Sequence, residues 1–99
     1  MYRLTVQYET PTDPAAFDTQ YFGQHVPLCA GIPGLVSTTF SKPGVLGPGT
    51  GPYLVAELDF ENENSFQAAM ATEEMAAVAK DADTLPAGRV MFVGALLDN

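Results

Sequence analysis

Three features of the chain predict an α+β fold with elements in the order β-α-β-β-α-β. The N-terminal residues alternate with a period of two, two later stretches open on helix-capping residues, and a strand-like run near the C-terminus is apolar on both faces. At 99 residues, 46% hydrophobic and 16% charged, the chain suits a single folded domain over residues 1–99 rather than two domains or a disordered segment.

Residues 2–8 set Tyr2, Leu4, Val6 and Tyr8 against Arg3, Thr5 and Gln7, the alternation of a strand with one face in a core. Asp13-Pro14 opens the first helix, with Asp13 as the cap and Pro14 in the first helical position. Phe17, Tyr21, His25 and Leu28 make one stripe along it, and Phe22, Val26 and Cys29 an adjacent one. Pro27 clashes with the preceding turn, so a kink or a tightened end is expected near residues 24–26. Gly31, Pro33 and Gly34 end the helix.

Residues 35–41 are β-branched and aromatic enough for a second strand. Residues 42–52 hold four glycines and three prolines and read as a long loop. Residues 53–60 form a third strand, with Leu54, Ala56, Leu58 and Phe60 on one face. The Ala-, Glu- and Met-rich stretch from Asn62 to about Asp81 is helical, with an apolar stripe at Phe66, Ala69, Met70, Ala76 and Ala79. Thr72, followed by Glu73 and Glu74, predicts a second cap and a break near residues 71–72. In residues 89–97, Val90, Phe92 and Gly94 alternate with Met91, Val93 and Ala95; neither set is polar, so both faces are expected to be buried.

This order is the split βαβ pattern of the ferredoxin-like fold, with a four-stranded antiparallel sheet. Helices cover one face of such a sheet, and the bare face is expected to meet an identical copy in a homodimer, closing a dimeric α/β barrel.

Charge and composition exclude several classes of function. Twelve acids face four basic residues, Arg3, Lys42, Lys80 and Arg89, for a net charge of −8, so nucleic acid and anionic membranes are not expected partners. No apolar run approaches the ~20 residues of a membrane-spanning helix, and the N-terminus reads straight into a strand rather than a leader, so a soluble cytoplasmic protein is expected. Cys29 is the lone cysteine and His25 the lone histidine; no cofactor and no metal site is expected from such a donor set.

The assembled residues resemble the EthD family of the dimeric α/β-barrel superfamily. The resemblance rests on Asp13-Pro14-Ala15-Ala16-Phe17, Tyr21, His25-Val26-Pro27-Leu28, Ile32-Pro33-Gly34-Leu35, Pro52 to Leu58 and Phe66 to Met70, with Tyr-x-x-x-His-x-Pro-Leu its most specific part. It implies a ferredoxin-like protomer that pairs into a barrel. It implies no single activity: the family is named for a protein associated with degradation of a fuel ether, and similar folds host isomerases, cyclases, cofactor-free oxygenases and haem-degrading enzymes. The last of these use a tryptophan, which this chain lacks.

His25 and Tyr21, four residues apart, share a helix face, and Asp18 lies near it. An imidazole moves protons near neutral pH, and a tyrosine hydroxyl orients it or stabilises an enolate. The expected function is therefore cofactor-independent acid–base catalysis (isomerase, cyclase, oxygenase or related) on a small carbonyl-bearing aromatic or lactone. His25 and Tyr21 are the expected catalytic pair, and Phe22, Phe40, Tyr53 and Phe92, with Met91, the expected lining of a pocket for a hydrophobic ligand. Arg3 and Arg89 are strand-borne cations suited to pairing with acids or to holding a carboxylate. The alternative is a non-catalytic accessory module that binds a hydrophobic metabolite or a partner protein.

Overall fold

Residues 1–97 are described by the computed structural model. Strands β1 (Tyr2–Tyr8), β2 (Leu35–Ser41), β3 (Leu54–Phe60) and β4 (Arg89–Ala95) form one antiparallel sheet in the order β2-β3-β1-β4. The two strands adjacent in sequence, β2 and β3, pair directly, and helical connections make the two crossovers, as the ferredoxin-like pattern requires.

Register sorts the side chains between faces. Leu4 pairs with Leu58 and Val93, Val6 with Ala56 and Met91, and Tyr8 with Leu54 and Arg89, so these residues share the face under the helices. The opposite face carries Arg3, Thr5 and Gln7 beside Glu57 and Asp59. The Arg3 guanidinium makes a two-pronged contact with Asp59, 2.7 and 3.0 Å, and also reaches Glu57. Its hydrogen bonds hold the Asp59 carboxyl below the ordinary carboxylate range against the opposing effect of burial. The bare face is thus polar at its centre. Its apolar residues include Val55 on β3 and, at one edge, Val90 and Phe92 on β4.

Three of the four helices among the described residues open on a side-chain cap. In α1 (Pro14–Gln20), Asp13 accepts from the Ala16 N–H and Pro14 opens the first turn. In α3 (Glu63–Met70), Asn62 accepts from Ser65; in α4 (Glu73–Ala82), Thr72 accepts from Met75, confirming the predicted break. Between α1 and the short α2 (Val26–Cys29), residues Tyr21–His25 form a π-helical turn in which the Val26 N–H reaches back five residues to the Tyr21 carbonyl. This is the form taken by the distortion expected before Pro27, whose ring cannot follow an unbroken α-helix.

The π turn also corrects the predicted stripe. Phe17, Tyr21, His25 and Cys29 are buried, while Leu28 is 38% exposed. Three consecutive spacings of four need about 4 residues per turn rather than 3.6, and the widened turn supplies the difference. On α4 the buried residues are Met75, Val78, Asp81 and Ala82, not the expected Ala76 and Ala79. The Thr72 cap sets the phase of that helix, and the larger side chains take the inner face.

The burial expected for β4 is not supplied by the protomer alone. Val90, Met91, Phe92 and Val93 are each 52–56% exposed in the protomer. A central strand would bury both faces, but β4 has a neighbour on only one side.

Candidate functional site

The core is aromatic at one end. Phe17 stacks on Tyr21 with ring centroids 5.4 Å apart, and Tyr8 meets both rings edge-on at 5.5 and 5.3 Å. The His25 ring lies 5.2 Å from that of Tyr21. Tyr21 packs on the imidazole but makes no hydrogen bond to it.

The hydrogen-bonding partner of His25 is Asp81, on α4. His25 Nδ1 stands 2.9 Å from Asp81 Oδ2, and both side chains are at least nine-tenths buried. Asp81 Oδ1 accepts from the Gln24 amide. A carboxylate only accepts, so Nδ1 carries the proton of this bond and Nε2 is the nitrogen left for chemistry. Two helices build the arrangement: the π turn presents Gln24 and His25 together, and α4 brings Asp81 from 56 residues away in sequence.

His25 lines a cavity of about 350 Å³ between the sheet and the helices. Leu4, Val6, Ala56, Leu58 and Met91 form its sheet side. Cys29, Phe66, Met75, Val78 and Ala82 form the helix side, and the edge strand β4 borders it. Every enclosed side-chain nitrogen and oxygen among the described residues has a hydrogen-bond partner. His25 Nε2 has none in the protein, so it opens onto accessible space rather than into packed core. Burial pushes the Cys29 thiol up to about 11, which leaves it neutral and unreactive at neutral pH.

With this geometry in place, the sequence falls into a known group. The pattern of the EthD domain matches residues 9–86. The chain belongs to the EthD family. A curated relative is 37% identical over 94 residues, covering 94% of this chain and 91% of its own: an 11.0 kDa protein from the thcB–thcC intergenic region of Rhodococcus erythropolis. Among solved structures, an EthD-family protein of Bacillus halodurans superposes with a TM-score of 0.85 at 35% identity, covering 98% of this chain and 99% of that one. At 16% identity, the cofactor-independent oxygenase SnoaB of Streptomyces nogalater shares the fold, with a TM-score of 0.69 over 99% of this chain and 94% of that one.

Within this EthD domain the expected site residues separate into two groups. His25 and Tyr21 border the cavity, as does Met91, and Phe92 reaches its margin on β4 although register places its side chain on the bare face. Phe22, Phe40 and Tyr53 do not. Phe22 and Phe40 pack on the far edge of Tyr21, at 5.2 and 5.9 Å, and on each other. The Tyr53 hydroxyl donates to Asp18 at 3.0 Å, and Lys42 joins both. The widened turn rotates Phe22 outward, where it is 43% exposed, and Phe40 lies on β2, the strand at the opposite edge from β4. Asp18, expected near His25, is committed to Lys42, whose hydrogen bond lowers its pKa.

Asp81 was not singled out from the sequence. Its one signal is an acid three residues after Val78 and six after Met75, on the inner face of an otherwise apolar helix stripe. Of the two strand-borne cations, Arg3 is occupied on the bare face, whereas Arg89 borders the cavity. Among the described residues no helix is long and apolar enough to cross a membrane, and no group of three or more His, Cys, Asp or Glu converges as a metal site.

Proposed function

We propose that this EthD-family protein is a cofactor-independent acid–base catalyst that moves a proton next to the carbonyl of a small aromatic or lactone substrate. The observation that carries the reading is the buried His25–Asp81 pair at the wall of an apolar cavity, with Nε2 open to it. Asp81 holds the imidazole in one tautomer and stabilises the imidazolium that forms when Nε2 accepts a proton. Proton removal beside a carbonyl is a first step shared by isomerisation, aldol-type ring closure and cofactor-free oxygenation. Catalysis at His25 is consistent with any of the three.

The direct test is solvent deuterium exchange into the α-carbon of small aryl ketones and aryl-substituted lactones, followed by proton NMR. Exchange well above the buffer rate is expected. If ligands bind while none exchanges, the cavity belongs instead to a non-catalytic module that carries a hydrophobic metabolite, the reading its mainly apolar wall also supports.

We propose further that the working unit is a homodimer in which a second copy covers β4. Four adjacent apolar residues, each more than half exposed, are a larger unpartnered run than a small monomer usually keeps. A dimer is expected by light scattering at micromolar concentration, and Phe92→Glu is expected to shift it towards monomer. A wild-type chain that stays monomeric at high concentration would remove this assembly.

A further inference from the structure

Tyr8 and Tyr21 are 2% and 1% exposed, yet neither hydroxyl has a hydrogen-bond partner among the described residues. A buried tyrosine hydroxyl normally finds one, because leaving a donor unpaired away from water costs about 1–3 kcal/mol. Both residues border the cavity, and no enclosed polar side-chain atom is left unpaired, so both hydroxyls keep contact with accessible space. Their rings are 5.3 Å apart. Arg89, the one Lys or Arg bordering the cavity, sits directly across from Tyr8 in the β1–β4 register.

The guanidinium is only partly committed. It donates to the Ala82 carbonyl at 3.3 Å and to Asp83 at 2.8 Å, two of its five N–H donors. The Asp83 side chain is 73% exposed, and a contact this wet holds Arg89 weakly. Burial pushes the Tyr8 hydroxyl up to about 12; of the charges near it, Arg89, which favours a negative oxygen there, outweighs Asp81, which opposes one.

The two ends of the cavity therefore differ. Tyr8, Tyr21 and Arg89 offer donors at one end. At the other, Leu4, Leu58 and Val93 on the sheet face Phe66 and Met70 on α3, all apolar. We propose that the Tyr8 and Tyr21 hydroxyls and the Arg89 guanidinium form a binding site for an anionic ligand oxygen, so that the cavity takes an amphipathic acid: a carboxylate, phenolate or enolate on an apolar ring body. The site deepens the catalytic reading and rests on it for the identity of the cavity. It names the part of the substrate that is held while His25 acts.

A matched pair of probes tests the site. 2-Naphthoate and 2-naphthylmethanol share an apolar body and differ in the charge on the head. Titrations at about 0.15 M salt screen the repulsion from the net charge of −8. Wild-type protein is expected to bind the acid at least about tenfold more tightly than the alcohol, the scale of a charge-assisted hydrogen bond. Tyr8→Phe and Arg89→Gln are each expected to weaken the acid by about tenfold and the alcohol by less than about threefold. Tyr8→Phe removes a hydroxyl with no protein partner, so its melting temperature should stay near wild type, and Arg89→Gln repeats the test at a side chain that is 21% exposed. Equal binding of the two probes, absence of binding by both, or an unchanged acid affinity in both variants would overturn the site. Tight acid binding without deuterium exchange would overturn the catalytic reading and leave this one standing; exchange without acid preference would do the reverse.

Discussion

His25→Ala is expected to slow α-proton exchange by about 10²–10⁴-fold, the usual worth of a positioned general acid or base. Nε2 is the open nitrogen on the cavity wall, and nothing else there moves a proton as readily at neutral pH. The Cys29 thiol is held neutral by burial, and burial raises the hydroxyls of Tyr8 and Tyr21 well above neutrality. The variant should remain folded, because Asp81 keeps its bond from Gln24. Exchange rates within threefold of wild type would dispose of His25 as the catalyst.

Asp81 acts through His25 and is a positioning residue. Asp81→Asn keeps an oxygen that can accept from Nδ1 but lacks the charge that balances an imidazolium. Its kcat is expected to fall by about tenfold with little change in KM, a pattern that marks loss of transition-state rather than ground-state interaction. Asp81→Leu leaves both His25 and Gln24 without their acceptor, and it should lower kcat further and destabilise the fold by about 1–3 kcal/mol. An unchanged kcat in both variants would mean that Asp81 merely fills space.

Phe17→Ala is expected to have the largest effect on stability. Phe17 is fully buried and touches the rings of Tyr8, Tyr21 and Tyr53. Truncating a buried phenylalanine costs about 3–5 kcal/mol, through lost apolar transfer and the cavity left behind. For a domain of this size that corresponds to a drop in Tm on the order of 20 °C, measured at one fixed protein concentration because a dimer's Tm depends on it. The loss bears on function too, since Phe17 is the stacking floor of Tyr21, which packs on His25. A fall of only a few degrees would mean that the aromatic cluster repacks, and that the site is less rigid than its geometry implies.

Much of the fold was legible because it is written in local terms. Asp13, Asn62 and Thr72 cap their helices through atoms three residues away. Period-two alternation marks β1 and β3, and Pro27 marks where the first helix departs from regular winding. His25 and Tyr21 were legible as neighbours for the same reason: four residues along a helix bring two side chains together whatever surrounds it.

What pairs with them was not legible. Asp81 meets His25 through the packing of α4 on the π turn, and Arg89 meets Tyr8 through strand register. Neither contact leaves a trace in local spacing. Phe22 was misplaced for a related reason: the widened turn rotates the helix face by part of a turn, and spacing rules assume constant winding. Element order, helix ends and the identity of the lone imidazole thus follow from the amino acids alone, because caps, periodicity and proline act over a few residues. Long-range packing set the rest: the cavity on the helix-covered side of the sheet, the distant carboxylate that holds the imidazole, and the position of β4 at an edge of the protomer's sheet. Each of those depends on which elements pack together and in what register.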